Sequence, residues 1–305
     1  MRKMSLEMVY RLAKKDKRIF FIGSDLGFGT LARFEKEMPE QFLKEGVSEA
    51  YIIGMAAGLA LEGKIVYINT IATFLTRRCF EQIVVDLALH KAKVRLIGSG
   101  GGLVYAPLGP THLAIEDMAI MRAIPNMTVI ACADAKEIEK MMRQTVDWPG
   151  PIYIRLAKGN DPVVTGGSFR IGKVYQYARG KDVLLVTTGI TLQLALEAGI
   201  ILRQKKISCG ILHVPTLKPL DKSTILKIFR SYRTIISIEE HSLIGGLGSS
   251  MAEIISEASF KDRKFFRRIA LADAFPEGYG SQNEQLWKNK ITVANIVKSA
   301  EKILK

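Results

Sequence analysis

The stretch GVSEAYIIGMAAGLALEGKIVYINTI, Gly46 to Ile71, joins an apolar helix to a β-branched strand through a tight Glu-Gly-Lys turn. From Ala50 to Leu61 every residue is small or apolar, and a helix that is apolar on all sides belongs in an interior. KIVYINTI then reads as a short continuous strand of the kind buried on both faces of a parallel sheet. One carboxylate, Glu49, heads the helix. Burial favours the neutral acid form of a carboxyl group, so its position suits a proton donor. A helix N-terminus also favours a carboxylate in its own right.

The same alternation extends in both directions. RIFFIGSDL, KVRLIGSGG, MTVIACAD and PIYIRLA are further strands, each stopped by Gly, Asp or the end of an apolar run. Helical periodicity covers Ser5 to Lys14, Arg78 to His90, Ile115 to Ala123 and Ala135 to Val146. The turn-rich segment NDPVVTGGSFRIGKVYQYARGKD interrupts the rhythm and predicts a linker with a hairpin. A second alternation follows: DVLLVTTG, a helix to Arg203, SCGILHVPTL, a helix from Asp221, TIISIEEH, a helix after GGLGSS, and RRIALADAF. The pattern predicts an α/β chain of two doubly wound domains, residues 1–162 and a smaller 181–305, with a linker at 163–180. In such sheets ligands bind at the carboxyl ends of the strands.

Bulk properties narrow the function. The chain has 305 residues, 48% of them hydrophobic, and a net charge of +14. The basic residues are scattered, and no zinc-finger spacing or aromatic-basic motif accompanies them, so nucleic-acid binding is not expected. No apolar run approaches the roughly 18 residues that span a bilayer, and the N-terminal stretch lacks a signal-peptide core; no membrane contact and a cytoplasmic location are expected. Cys79, Cys132 and Cys209 are too far apart in sequence to suggest a metal knuckle. An acidic partner or anionic substrates suit the charge.

Two loops after strands hold residues with chemical potential. GSGGGLVYAPLGPTHLAIED brings flexible glycines and His112; TIATFLTRRCFEQI brings Phe74, Arg77 and Arg78. Taken singly, a loop histidine is unremarkable, and Phe74 with two arginines is an ordinary helix face.

Their order along the chain is specific. GVSEAYIIGMAAG, TIATFLTRRCFEQI, GSGGG, GPTHLAIEDMAIMRAIPNM and PIYIRLAKG together resemble the pyrimidine-binding domain of transketolases. TTGITLQLALEAG, VPTLKPLD and EEHSLIGGLGSSMAEII resemble the C-terminal domain of the same family. The resemblance spans nearly the whole chain and is greatest to the separate C-terminal subunit of a split transketolase.

The resemblance implies thiamine diphosphate as cofactor, with Glu49 hydrogen-bonded to the pyrimidine N1′, Phe74 and Ile71 packed on its ring, and Asp25 nearby. It implies that His112 exchanges protons with substrate hydroxyls, and that Lys158, Arg77 and Arg2 contact a sugar phosphate. The reaction implied is two-carbon ketol transfer between sugar phosphates. The family's GDG motif, which with a later Asn holds Mg2+ and the diphosphate, does not occur in the sequence. An N-terminal partner subunit carrying GDG is therefore implied, with an α2β2 assembly. Two departures bear on substrate: Leu108 stands where relatives carry an acidic residue, and Gly100 where they carry histidine. Both remove polar contacts and imply a non-standard sugar. Glu239, Glu240 and His241 are assigned to structure or a subunit interface. A deoxyxylulose-phosphate synthase-like or 2-oxoacid-decarboxylating enzyme subunit, and a non-catalytic regulatory paralogue, are the alternatives.

Overall fold

The computed structural model describes residues 1–23, 28–44, 46–157 and 161–304, with residues 28–30 as backbone alone. Its first strands are β1 (Ile19–Gly23), β2 (Phe42–Lys44), β3 (Ile65–Ile71), β4 (Val94–Ser99), β5 (Thr128–Ala131) and β6 (Ile152–Leu156). They are followed by β7 (Tyr175–Ala178), β8 (Val183–Thr187), β9 (Cys209–His213), β10 (Thr216–Lys218), β11 (Thr234–Ser242) and β12 (Phe265–Leu271).

The first sheet runs β10-β5-β6-β4-β3-β1-β2, parallel throughout except for β10. Its strands were legible because both faces are covered. Along β3, Val66 and Ile68 enter one hydrophobic cluster with Ile52 and Ile53 of helix Glu49–Leu61. Ile65 and Tyr67 enter the opposite cluster, with Val9 of helix Arg2–Ala13 and Ile138 of helix Ala135–Gln144. Period-two alternation thus sends apolar side chains both ways, which is why the run is continuously apolar.

The second sheet runs β12-β11-β8-β9-β7, with β7 antiparallel on the edge. Val183 and Leu185 pack towards helices Thr191–Gln204 and Val293–Leu304. Leu184 and Val186 pack in the other direction, into the same cluster that lines the first sheet. The two α/β units therefore share a continuous core.

Two local readings are corrected. The segment expected to hold a hairpin forms a single strand, β7, whose partner is β9, distant in sequence. SCGILHVPTL, read as one strand, is two: β9 stays in the second sheet, while β10 crosses to pair antiparallel with β5. Pro215 separates them, and its carbonyl accepts from Ala131 N–H at 2.8 Å. A strand of the second half thus closes the first sheet, and the halves are stitched by backbone bonds.

Candidate active site

The segments after β2, β3 and β4 meet at the carboxyl edge of the first sheet. After β2, helix Glu49–Leu61 begins with Glu49, which is only 4% exposed. After β3 the chain enters a helical segment containing wide π-type turns at Phe74–Arg78 and Ile83–Ala88, a distortion found often at functional sites. After β4 comes the glycine-rich loop with half-buried His112.

Phe74 and His112 meet edge to face, with ring centroids 5.1 Å apart. Glu49 joins them through Arg78, whose Nη1 lies 2.5 Å from Glu49 Oε2. The Arg78 guanidinium also covers the Phe74 ring, 4.8 Å from its centroid. A planar cation thus spans a buried carboxylate and an aromatic face, while its own side chain remains 47% exposed. Arg78 was read in the sequence as part of an ordinary helix face and given no role, although its place four residues after Phe74 puts the two on one side of a helix. Ile71, half-buried, ends β3 beside this group.

The remaining predicted residues are distributed differently. Asp25 and Lys158 lie outside the described residues. Arg77 is bound by Glu116 through two nitrogens and donates to the Leu113 carbonyl at 3.0 Å. The Glu116 hydrogen bond raises its pKa, and its charge is largely answered within the chain. Arg77 and Glu116 line a cavity of about 570 Å3 between the two halves, with Ser242, Asp273 and Phe275 on its far side. Arg2 reaches the same glycine-rich loop, at Tyr105 Oη, 3.4 Å away.

The two substitutions noted in the sequence have distinct settings. Gly100 has φ +80°, and a Cβ there would lie 2.0 Å from the Tyr105 ring. Tyr105 therefore fills the space that a larger side chain at position 100 would need. Leu108 is 51% exposed on the outer turn of the loop, four residues before His112.

The loop is held at its base. Gly102 and Ala114 exchange backbone bonds of 2.8 and 3.2 Å, and Gly100 and Gly101 both donate to Leu156 O. Below it lies a buried polar cluster that includes Glu239 and Glu240, assigned from sequence to structure or a subunit interface. Arg155 Nε is 2.8 Å from Asp117 Oδ2, which also accepts from Tyr153 Oη at 2.7 Å. Burial works against the Arg155 charge, but Asp117, Glu240 and Tyr153 outweigh it and hold its pKa up. Glu239 caps helix Leu247–Glu257 by accepting from Leu247 and Gly248 N–H. Glu240 is pushed up to about 6 by burial, against the opposing pull of Arg155.

Comparison with known proteins identifies the family. Residues 1–163 match the family described as "Transketolase, pyrimidine binding domain", and residues 172–296 match "Transketolase, C-terminal domain". The chain is 36% identical over 260 residues to one of the apulose-4-phosphate transketolase subunits of Phocaeicola vulgatus, covering 84% of this chain and 83% of that protein. It is 33% identical to the 6-deoxy-6-sulfo-D-fructose transketolase subunit SqwH of Clostridium sp. (strain MSTE9), covering 98% and 92% of the two chains. Its structure matches that of a split gene transketolase, described as an inactive beta4 tetramer, with TM-score 0.90 and 32% identity over 99% of this chain and 97% of the other. With both domains matched in order on the fold described above, the chain belongs to the transketolase family.

Proposed function

We propose that this chain is the pyrimidine-binding subunit of a two-chain, thiamine-diphosphate-dependent transketolase acting on a non-standard sugar. The observation that carries the reading is the convergence of Glu49, Phe74 and His112 at one sheet edge, with Arg78 spanning Glu49 and Phe74.

The donor set fits the cofactor's aminopyrimidine. Glu49 offers a buried carboxyl to hydrogen-bond N1′, and Phe74, with Ile71 beside it, offers an apolar face for the ring. When bound, thiamine diphosphate supplies the nucleophilic carbon and the electron sink for ketol transfer. Glu49 holds or shares a proton at N1′. Phe74 orients the ring. Arg78 grips the same two groups, so it turns out as the ring enters; its half-exposed side chain has solvent to turn into. His112, whose ring meets that of Phe74 with centroids 5.1 Å apart, exchanges protons with substrate hydroxyls. Asp25 and Lys158 are proposed as further cofactor and substrate contacts, and Arg2 and Arg77 as groups bordering the anionic end of the substrate.

Metal and diphosphate are assigned to a partner. Among the described residues no group of three or more His, Cys, Asp or Glu is placed to hold a metal ion, and the sequence has no GDG. The seat for that partner is supported by exposed apolar side chains flanking Glu49 in sequence, Val47 at 89% and Tyr51 at 71%. An α2β2 assembly follows by analogy with the implied family layout. Among the described residues no helix is long and apolar enough to cross a membrane, and a cytoplasmic site of action is part of the proposal.

The sugar is proposed to lack the hydroxyl pattern of the common pentulose phosphates. Leu108 offers no hydrogen bond, and the two relatives named above act, by their names, on apulose 4-phosphate and a sulfosugar. The testing experiment reconstitutes the chain with a GDG-bearing subunit and compares wild type with Glu49→Gln. Ketol transfer that falls at least about a hundredfold, with circular dichroism unchanged, supports the reading. Equal activity of the two, or carbon dioxide release from pyruvate in place of ketol transfer, overturns it. Full activity on xylulose 5-phosphate with ribose 5-phosphate overturns the substrate assignment alone.

A further inference from the structure

The segment that ends β11 touches both limbs of the His112 loop. Glu240 Oε1 accepts the Leu103 N–H at 2.9 Å on the incoming limb, and Ser242 N–H donates to Ile115 O at 2.7 Å on the outgoing one. Between these two points the backbone–backbone bonds of residues 103–113 are local, each closing a turn within the loop, as in Ala106 N to Leu103 O and His112 N to Gly109 O, and Arg77 adds a side-chain bond to Leu113 O at 3.0 Å on the outgoing limb. The base of the loop is therefore the place where its position is set.

Glu240 is fixed for that task from three directions. Its Oε1 also accepts the Gln282 amide at 2.8 Å, and its carbonyl accepts Arg155 Nη2 at 2.8 Å. Arg155 in turn reaches the Ala114 carbonyl at 3.3 Å. Gly102, with φ +69°, lets the loop lie against this carboxylate: a Cβ there would fall 2.6 Å from Glu240 Cδ. A charged, buried acceptor makes a stronger bond than a neutral one, and a backbone N–H left unanswered in an interior is costly.

We propose that Glu240, contributed by the C-terminal domain, is a positioning residue for the His112 loop of the pyrimidine-binding domain. It acts through the Leu103 N–H and touches neither substrate nor cofactor. The mechanistic consequence, that Glu240 sets where His112 stands, rests on the reading of the site given above. It also gives the C-terminal domain a part in the chemistry at the Glu49–Phe74–His112 group.

The test is hydrogen exchange on the full-length chain, followed by kinetics of the reconstituted enzyme. In Glu240→Ala the amides of residues 103–113 should exchange roughly ten- to a hundredfold faster, with those of helix Glu49–Leu61 unchanged. Glu240→Gln keeps an acceptor oxygen and should restore protection. Glu240→Asp, one methylene short, keeps the charge but withdraws from Leu103; it should loosen the loop and serves if the alanine variant does not fold. With the partner, the loosened variants should lose kcat about tenfold or more while the thiamine diphosphate affinity stays within about twofold. Unaltered exchange in the Asp variant, or equal loosening by Gln, overturns the proposal. If loosening occurs but wild type shows no ketol transfer, the positioning role stands and the functional reading fails.

Discussion

Arg78 makes the sharpest demand on the proposed cofactor site, because it is the group the aminopyrimidine must displace. Replacing it with alanine removes two contacts. One is the guanidinium over Phe74, at 4.8 Å, worth about 0.5–1 kcal/mol at an exposed position. The other is the ion pair with Glu49, whose arginine side is 47% exposed; solvent screening limits such a pair to about 0.2–1 kcal/mol. Their sum, about 0.7–2 kcal/mol, is a handicap on ring binding of roughly three- to thirtyfold. Arg78→Ala should therefore bind thiamine diphosphate more tightly than wild type by that factor, measured by calorimetric titration of the reconstituted enzyme. Arg78→Lys should fall between, since lysine keeps the charge but loses the planar group that lies on Phe74. Affinity unchanged or weakened in Arg78→Ala would refute the reasoning, and would mean that Arg78 helps to hold the cofactor or substrate instead of competing with it.

Three other perturbations follow from the buried polar residues. Glu240 has its folded pKa raised from 4.5 to about 6, so the unfolded chain ionises first and stability falls as pH rises between those values; wild type should lose about 1 kcal/mol more than Glu240→Gln between pH 5 and pH 8, read from urea midpoints, and parallel pH profiles would contradict this. Asp117→Ala leaves Arg155 buried and short of its partner, with side chains 0% and 7% exposed in the native pair, and should destabilise by about 3–5 kcal/mol in the same assay; a loss below about 1 kcal/mol would show the charge finding an answer elsewhere. Cys132 and Cys209 are buried, and burial raises both thiols, Cys209 to about 12; neither should react with a disulfide reagent until denaturant is added, and mass spectrometry of modified peptides would detect an exception.

The sequence by itself determined the α/β class and most strands, whereas Glu49, Phe74 and His112 became candidates only through the order of several motifs and the family resemblance that order carries. The class and the strands are local features: strands buried on both faces, such as Ile65–Ile71, read as continuous apolar runs, and helices that bury one face, such as Ala135–Gln144, keep a 3.6-residue period in any linear reading. Gly102 and Gly109 mark loop backbone at φ +69° and +80°, and glycine is visible as a letter. The Arg78 grip needed the fold, since the two groups it spans lie 29 and 4 residues away and only the parallel order of β1, β2 and β3 sets them side by side. The crossing of β10 into the first sheet was equally hidden, because VPTLKPLD has no pattern that names a partner 85 or more residues earlier. Glu239, Glu240 and His241 read as the end of a strand with a role in structure or a subunit interface. What joins Glu240 to the His112 loop is a long-range contact, 137 residues from Leu103, and such contacts are decided by how two sheets share one core, a property that no local pattern encodes.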